Sequence, residues 1–194
     1  MKASIRFTVT LVSATLASAA LVTGCASTAT PQPAATSGFR TTGLAFRYPG
    51  TWHAGKWGDD VSSFSAPIVF LSTGRLHDPC QRTVKAQVTT VSCGDPVSAL
   101  APGGVLVRWS GNGAPSWHAP AANTKVGGRP ATQTVTASAP CRALGGTRAI
   151  TVVIPDSAAS SWYEMDACLR GPGIASEQAE ITAMLKTVRF TRGN

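Results

Sequence analysis

"WYEMDACLRGPGIASEQAEITAMLKTVRF", residues 162–190, carries two different hydrophobic periods in one run of chain. From Trp162 to Leu169 polarity changes residue by residue. Tyr163, Met165, Ala167 and Leu169 fall on one side and Trp162, Glu164, Asp166 and Cys168 on the other, the two-residue period of a strand whose polar face points outward. Gly171-Pro172-Gly173 then stops the strand. Beyond it Ile181, Met184, Leu185 and Val188 recur at i, i+3, i+4 and i+7, one apolar stripe of a helix. Ser176 is its expected N-cap and Val188 its approximate end. Glu177 and Glu180 sit in the first turn and Lys186 and Arg189 near the last, as the helix dipole favours. A strand with one apolar face and a helix with one apolar stripe bury each other, so this segment predicts an α+β domain closed by an amphipathic helix.

Upstream the chain reads mostly as strands. "GLAFRYPGTW" alternates Leu44, Phe46 and Tyr48 against Ala45 and Arg47 and breaks at Pro49-Gly50; Phe64 to Thr73 is a near-continuous apolar run in which Pro67 predicts an edge or a bulge. Val105, Val107 and Trp109 share one face of "GGVLVRWSG", and "RPATQTVTA" and "RAITVVIP" each follow a Gly-Gly turn signal. A second, short helix is expected around Val97 to Leu100, after Pro96.

Five cysteines divide into one and four. Cys80, Cys93, Cys141 and Cys168 form an even set that reads as two disulfides in an exported chain. Of three connectivities the nearest-neighbour one is favoured, Cys80 with Cys93 and Cys141 with Cys168. A zinc site is the competing use, but no pair has CxxC spacing and no histidine stands at a ligand-like offset, so no metal and no cofactor are expected.

The fifth cysteine follows an export signal: Lys2 and Arg6 form the basic region, Phe7 to Leu21 the apolar region and Val22-Thr23-Gly24 the small-residue cleavage site. The segment is too short and too weakly apolar for a transmembrane helix. Val-Thr-Gly-Cys, residues 22–25, resembles the lipobox of bacterial lipoproteins. That resemblance implies that residues 1–24 are removed and that Cys25 becomes the diacylglycerol-modified first residue. Two acyl chains hold a protein firmly to a bilayer, so the expected location is the extracytoplasmic face of the cell membrane.

Residues 25–38 then read as the lipidated cysteine and a charge-free Ala/Ser/Thr/Pro tether, and residues 39–194 as one extracytoplasmic domain. Without residues 1–24 the chain keeps 15 Lys and Arg against 9 Asp and Glu, a net charge of +6. The positive charges are scattered and lack the aromatic-basic interleaving of a nucleic-acid binder, so nucleic acid is not expected as a partner. A surplus of this kind suits an anionic membrane or wall polymer.

"FRYPGTW" near the start of the domain and "MLKTVRF", residues 184–190, at its end, with antiparallel strands between, resemble the PsbP-like superfamily, which includes the extrinsic photosystem II proteins and the LpqN group of actinobacterial lipoproteins. The resemblance implies an α/β/α sandwich around a mainly antiparallel sheet and a non-catalytic accessory or binding role. It transfers no active-site residues, and the "HDPC" and "CGDP" stretches of the middle are not part of the family pattern.

Catalytic signatures are absent: there is no GxSxG, HExxH, Walker or EF-hand motif, and His53, His77 and His118 are far apart. His77-Asp78 is read as an exposed turn before Pro79. Glu164 and Asp166 could serve as a glycosidase pair, but a solvated sheet face accounts for them more simply. Trp117, in the Pro/Gly-rich "GAPSWHAP", offers with His118 and Arg108 a platform for a sugar ring or a peptide of the cell wall, unless its indole seals one end of the sheet. The expectation is a lipid-anchored binding or accessory module of the cell envelope, its partners the membrane and a wall polymer or envelope protein. The alternatives are an envelope glycan or peptide hydrolase and a structural partner of a membrane complex, the last marked by a contiguous exposed apolar patch.

Overall fold

A computed structural model of the chain describes residues 35–57, 65–85, 88–137, 141–156 and 160–191. The signal segment 1–24, Cys25 and most of the tether lie outside the described residues.

Twelve strands and one α-helix make up the described fold: β1 (Thr36–Arg40), β2 (Leu44–Pro49), β3 (His53–Gly55), β4 (Ser65–Ser72), β5 (Cys80–Lys85), β6 (Val88–Cys93), β7 (Val105–Gly113), β8 (Thr124–Val126), β9 (Arg129–Ala137), β10 (Arg148–Pro155), β11 (Ser161–Leu169), α1 (Ile174–Lys186) and β12 (Arg189–Phe190). Seven strands form one sheet in the order β3-β4-β7-β11-β10-β9-β8; β1-β2-β12 form a second and β5-β6 a separate hairpin. Every pairing is antiparallel. This is an α+β fold dominated by antiparallel sheet.

The alternation in β11 decides which side of the large sheet is which. Leu169, Ala167 and Met165 stand opposite Val105, Val107 and Trp109 on β7 and opposite Arg148, Ile150 and Val152 on β10. All of these but Arg148 are apolar and buried in one cluster with Leu44, Phe46 and Tyr48 of β2 and with Ile181, Met184, Leu185 and Val188. The helical stripe and the strand face therefore cover each other, each full side-chain burial contributing about 1.5–3 kcal/mol. The two ends of the domain meet here: β12 pairs with β2 through Phe190–Leu44 and Arg189–Ala45, and the Arg47 N–H donates to Thr187 Oγ1 at 2.8 Å.

Three local expectations are corrected. The helix begins at Ile174, capped by Gly173 at φ 102°, with the Glu177 N–H donating to the Gly173 carbonyl at 3.1 Å. Ser176 is thus inside the first turn, because the Gly-Pro-Gly turn feeds the helix directly. The Val97–Leu100 helix does not form: the Leu100 N–H donates to the Leu144 carbonyl at 2.9 Å, and both apolar side chains pack against the far side of the sheet. Strand structure also begins before Phe39 in a segment expected to be tether, since β1 opens at Thr36. Its small polar residues carry no apolar pattern, and backbone pairing to β2 holds them.

Pro67 does make a bulge, the β4–β7 register shifting between Pro67 and Val69. Both disulfides join nearest neighbours, Cys80 to Cys93 and Cys141 to Cys168. Among the described residues there is one α-helix, and no helix long and apolar enough to cross a membrane. The far side of the large sheet carries a second apolar cluster instead of helices: Phe70, Val97, Leu100, Leu106 and Leu144, with Leu144 supplied by a 3-10 turn at Arg142–Leu144.

Candidate functional site

That second cluster covers only one end of the far side. The rest carries a polar row, Arg108, Ser110 and Asn112 of β7 with Glu164 and Asp166 of β11 and Thr151 of β10, flanked on β10 by the apolar Val153 and Pro155. Arg108 stands opposite Asp166, Ser110 opposite Glu164 and Asn112 opposite Trp162 on the β7–β11 pairing, while Thr151 of β10 stands opposite Asp166. The Arg108 guanidinium pairs with Asp166 Oδ2 at 2.7 Å, and the Thr151 hydroxyl donates to Asp166 Oδ1 at 2.9 Å. Glu164 Oε2 accepts from Trp162 Nε1 at 3.0 Å and from Asn112 Nδ2 at 3.4 Å.

A cleft of about 320 Å³ opens over the Arg108 end of this row, short of Asn112 and Trp162. Asp95, Arg108, Thr151, Glu164 and Asp166 line its polar side, and Leu106, Leu144 and the Cys141–Cys168 disulfide its apolar side. The outward face of β11 is consequently half-buried rather than freely solvated. Burial raises the Glu164 carboxyl above its ordinary range. The Trp162 hydrogen bond opposes that rise, and the adjacent Asp166 adds to it by repulsion and by accepting a hydrogen bond from the protonated form.

The row continues into an aromatic pair that local sequence does not reveal. Trp117, returning from the loop after β7, stacks on Trp162 with ring centroids 4.4 Å apart and planes 12° from parallel. Both rings are half-buried. One face of Trp117 is covered by Trp162, so the exposure it keeps belongs to its other face and edge. The only sequence signal was the outward position of Trp162 on β11, and nothing local links it to residue 117.

The three expected platform residues are therefore distributed. Trp117 is at the aromatic end. His118 is exposed, its Nδ1–H donating to the Ser116 carbonyl at 2.9 Å. Arg108 lies at the opposite end of the row, four residues or roughly 13 Å along β7 from Asn112. Asn112 and Glu164, not Arg108, adjoin the tryptophans. His53 and His77 are exposed on separate segments, and Asp78 Oδ1 accepts from the Cys80 N–H at 2.9 Å, the turn its place before Pro79 suggests. Among the described residues no three His, Cys, Asp or Glu side chains are grouped to hold a metal.

A second cavity, about 390 Å³, is formed by loop segments 72–77 and 97–104 and contains few ionisable groups. Val84 and Val135 are the exposed large apolar side chains among the described residues, and they stand on different sheets. Comparison with known protein families, with curated proteins and with solved structures finds no match to this chain.

Proposed function

We propose that this chain is a lipid-anchored, non-catalytic binding module on the extracytoplasmic face of the cell membrane, related to the PsbP-like superfamily. The observation that carries the reading is the pair of disulfides within one domain. Such cross-links persist in oxidising compartments and are rare in the cytosol, which agrees with an export signal ending at Val22-Thr23-Gly24-Cys25. Kinship with the PsbP-like proteins is supported by the way "FRYPGTW" and "MLKTVRF" meet through the Arg47–Thr187 hydrogen bond, next to the β2–β12 pairing. A binding role is supported by the far-side cleft, and a non-catalytic one by carboxyls already engaged, Asp166 by Arg108 and Thr151 and Glu164 by Trp162, and by histidines on separate segments. Its partners are the bilayer, through the acyl chains, and a wall polymer or envelope protein.

Mass spectrometry of the unreduced protein from its own membrane tests this. The expected result is a diacylglycerol-bearing peptide that begins at Cys25, together with the two cross-linked peptides. An unmodified amino terminus would overturn the anchor, and free thiols would overturn the oxidising compartment.

A further inference from the structure

We infer that the far-side row is a carbohydrate site, and that a non-acidic oligosaccharide lies along β11 with one ring on Trp117 and its hydroxyls on Asn112, Glu164, Asp166, Arg108 and Thr151. This rests on the binding-module reading and names its ligand class.

Three features select a sugar. The first is the pairing of aromatic and polar ends on one face. A pyranose ring has an apolar C–H face that settles on an indole, and its hydroxyls each donate and accept. The row supplies both partners: the half-exposed Trp117 over Trp162, then an amide, two carboxyls, a guanidinium and a hydroxyl. The second is charge. Arg108 already pairs with Asp166 at 2.7 Å, and Asp95 and Glu164 add carboxyls to the same cleft, so an anionic ligand would have to break a formed pair and face two more acidic groups. Hydroxyls can add to the pair's remaining lone pairs and N–H groups without breaking it.

The third feature is backbone supply. An extended peptide gains affinity from the unpaired edge of a sheet, but β7, β11 and β10 are interior strands with neighbours on both sides. Only side chains are on offer here. The stretch from Trp162 to Asp166 spans roughly 13 Å, longer than a single ring, and the cleft of about 320 Å³ at its Asp166 end falls within the range of ligand sites.

The mutual stacking of the tryptophans explains why a large ring can stay half-exposed without a ligand. Trp162 is fixed by its hydrogen bond to Glu164, and Trp117 is laid on it, so the platform is preformed and little ordering cost falls on binding.

The test uses the full chain in a non-glycosidic detergent, titrated with tri-N-acetylchitotriose, cellotriose and maltotriose. Calorimetry gives affinity, saturation-transfer NMR gives ring contact, and chromatography of the sugar gives its integrity. At least one trisaccharide is expected to bind and be recovered intact. Trp117→Ala should weaken it about 10-fold, the loss of a stacked aromatic contact. Thr151→Val, which removes a hydroxyl without changing shape, should weaken it several-fold and guards against a Trp117→Ala protein that fails to fold. Val84→Ala, on the separate hairpin, should bind like the unaltered chain.

Failure of all three sugars to bind folded protein overturns the inference, as does binding that Trp117→Ala and Thr151→Val leave unchanged, or capture of a wall peptide in place of any sugar. The amino-terminal mass of the same sample separates the two readings. Lipid on Cys25 with no sugar bound removes the carbohydrate site and leaves the envelope module; sugar bound by a chain with an unmodified terminus does the reverse. Cleaved sugar would uphold the site and overturn the non-catalytic role.

Discussion

Removing each disulfide in turn should have very unequal effects, although chain entropy alone makes them nearly equal. Cys80 and Cys93 are 13 residues apart and Cys141 and Cys168 are 27 apart, which corresponds to about 2.9 and about 3.6 kcal/mol of loop-closure stabilisation. The structure separates them by what each loop belongs to. Cys80–Cys93 closes β5-β6, a hairpin that pairs with no other strand among the described residues. Its base is tied by the Gly94 N–H to the Pro79 carbonyl at 3.0 Å and the His77 N–H to the Pro96 carbonyl at 2.9 Å. Such a unit can open by itself, so the entropy released there is local.

Cys141–Cys168 ties the 3-10 turn to β11, inside the second apolar cluster, and Cys141 is 1% exposed. Gly146 approaches so closely that a Cβ there would stand 2.6 Å from the Cys141 Cβ, which leaves no slack to collapse into a vacated space. Cys141→Ala with Cys168→Ala should therefore cost the full loop term plus roughly 0.5–1.5 kcal/mol of lost packing, about 4–5 kcal/mol in all. That is a large part of the 5–15 kcal/mol a domain commonly has. Cys80→Ser with Cys93→Ser should cost less than about 1 kcal/mol. Urea unfolding followed by tryptophan fluorescence is the assay, since Trp52 and Trp109 report the main core and the hairpin contains no tryptophan. Equal losses from the two double variants would refute the reasoning, because the hairpin would then unfold with the core.

The remaining predictions concern the helix, one turn and the core. Burial, and then the neighbouring Glu180, raise the Glu177 carboxyl above its ordinary 4.5, so the folded chain holds that proton more tightly than the unfolded one. Its contribution to stability is complete below about pH 4.5 and is lost as pH rises through the folded value. Glu177→Gln should be more stable than the unaltered chain near pH 7, with the advantage vanishing in acid; a parallel pH profile for the two proteins would count against this. Gly127 holds φ 57°, and a Cβ there would stand 2.7 Å from the Phe190 ring, itself packed on Tyr163 and under the Arg129 guanidinium. Gly127→Ala should cost about 2 kcal/mol, read as a lowered thermal midpoint. Ile181→Ala, at 1% exposure in the core, should cost about 2–5 kcal/mol without altering sugar binding.

Periodicity alone was enough to place β11, its turn and α1, because a strand with a clean two-residue alternation and a helix with one stripe can only be buried against each other. The Pro67 bulge was legible for a similar local reason, a missing N–H, and the disulfide pairing followed from sequence proximity. Local rules failed where a distant backbone competed: Leu144 takes the Leu100 N–H that a helix at Val97 would need, and Gly173 displaces Ser176 as the cap.

The polar face of β11 was visible as a set of residues but not as a site. Its half-burial comes from a 3-10 turn, the loop around residue 95 and a disulfide whose Cys141 half, like the other two, is distant from β11 in sequence. Trp117 on Trp162 is a contact across 45 residues that neither segment announces. The sequence by itself determined the class of the fold, the covalent framework and the expectation of an anchored envelope protein, all consequences of spacing along the chain. Only the tertiary structure decided which of the outward side chains share a surface, because strand order and register, not chain position, set the distance between Arg108, Glu164 and the two tryptophans.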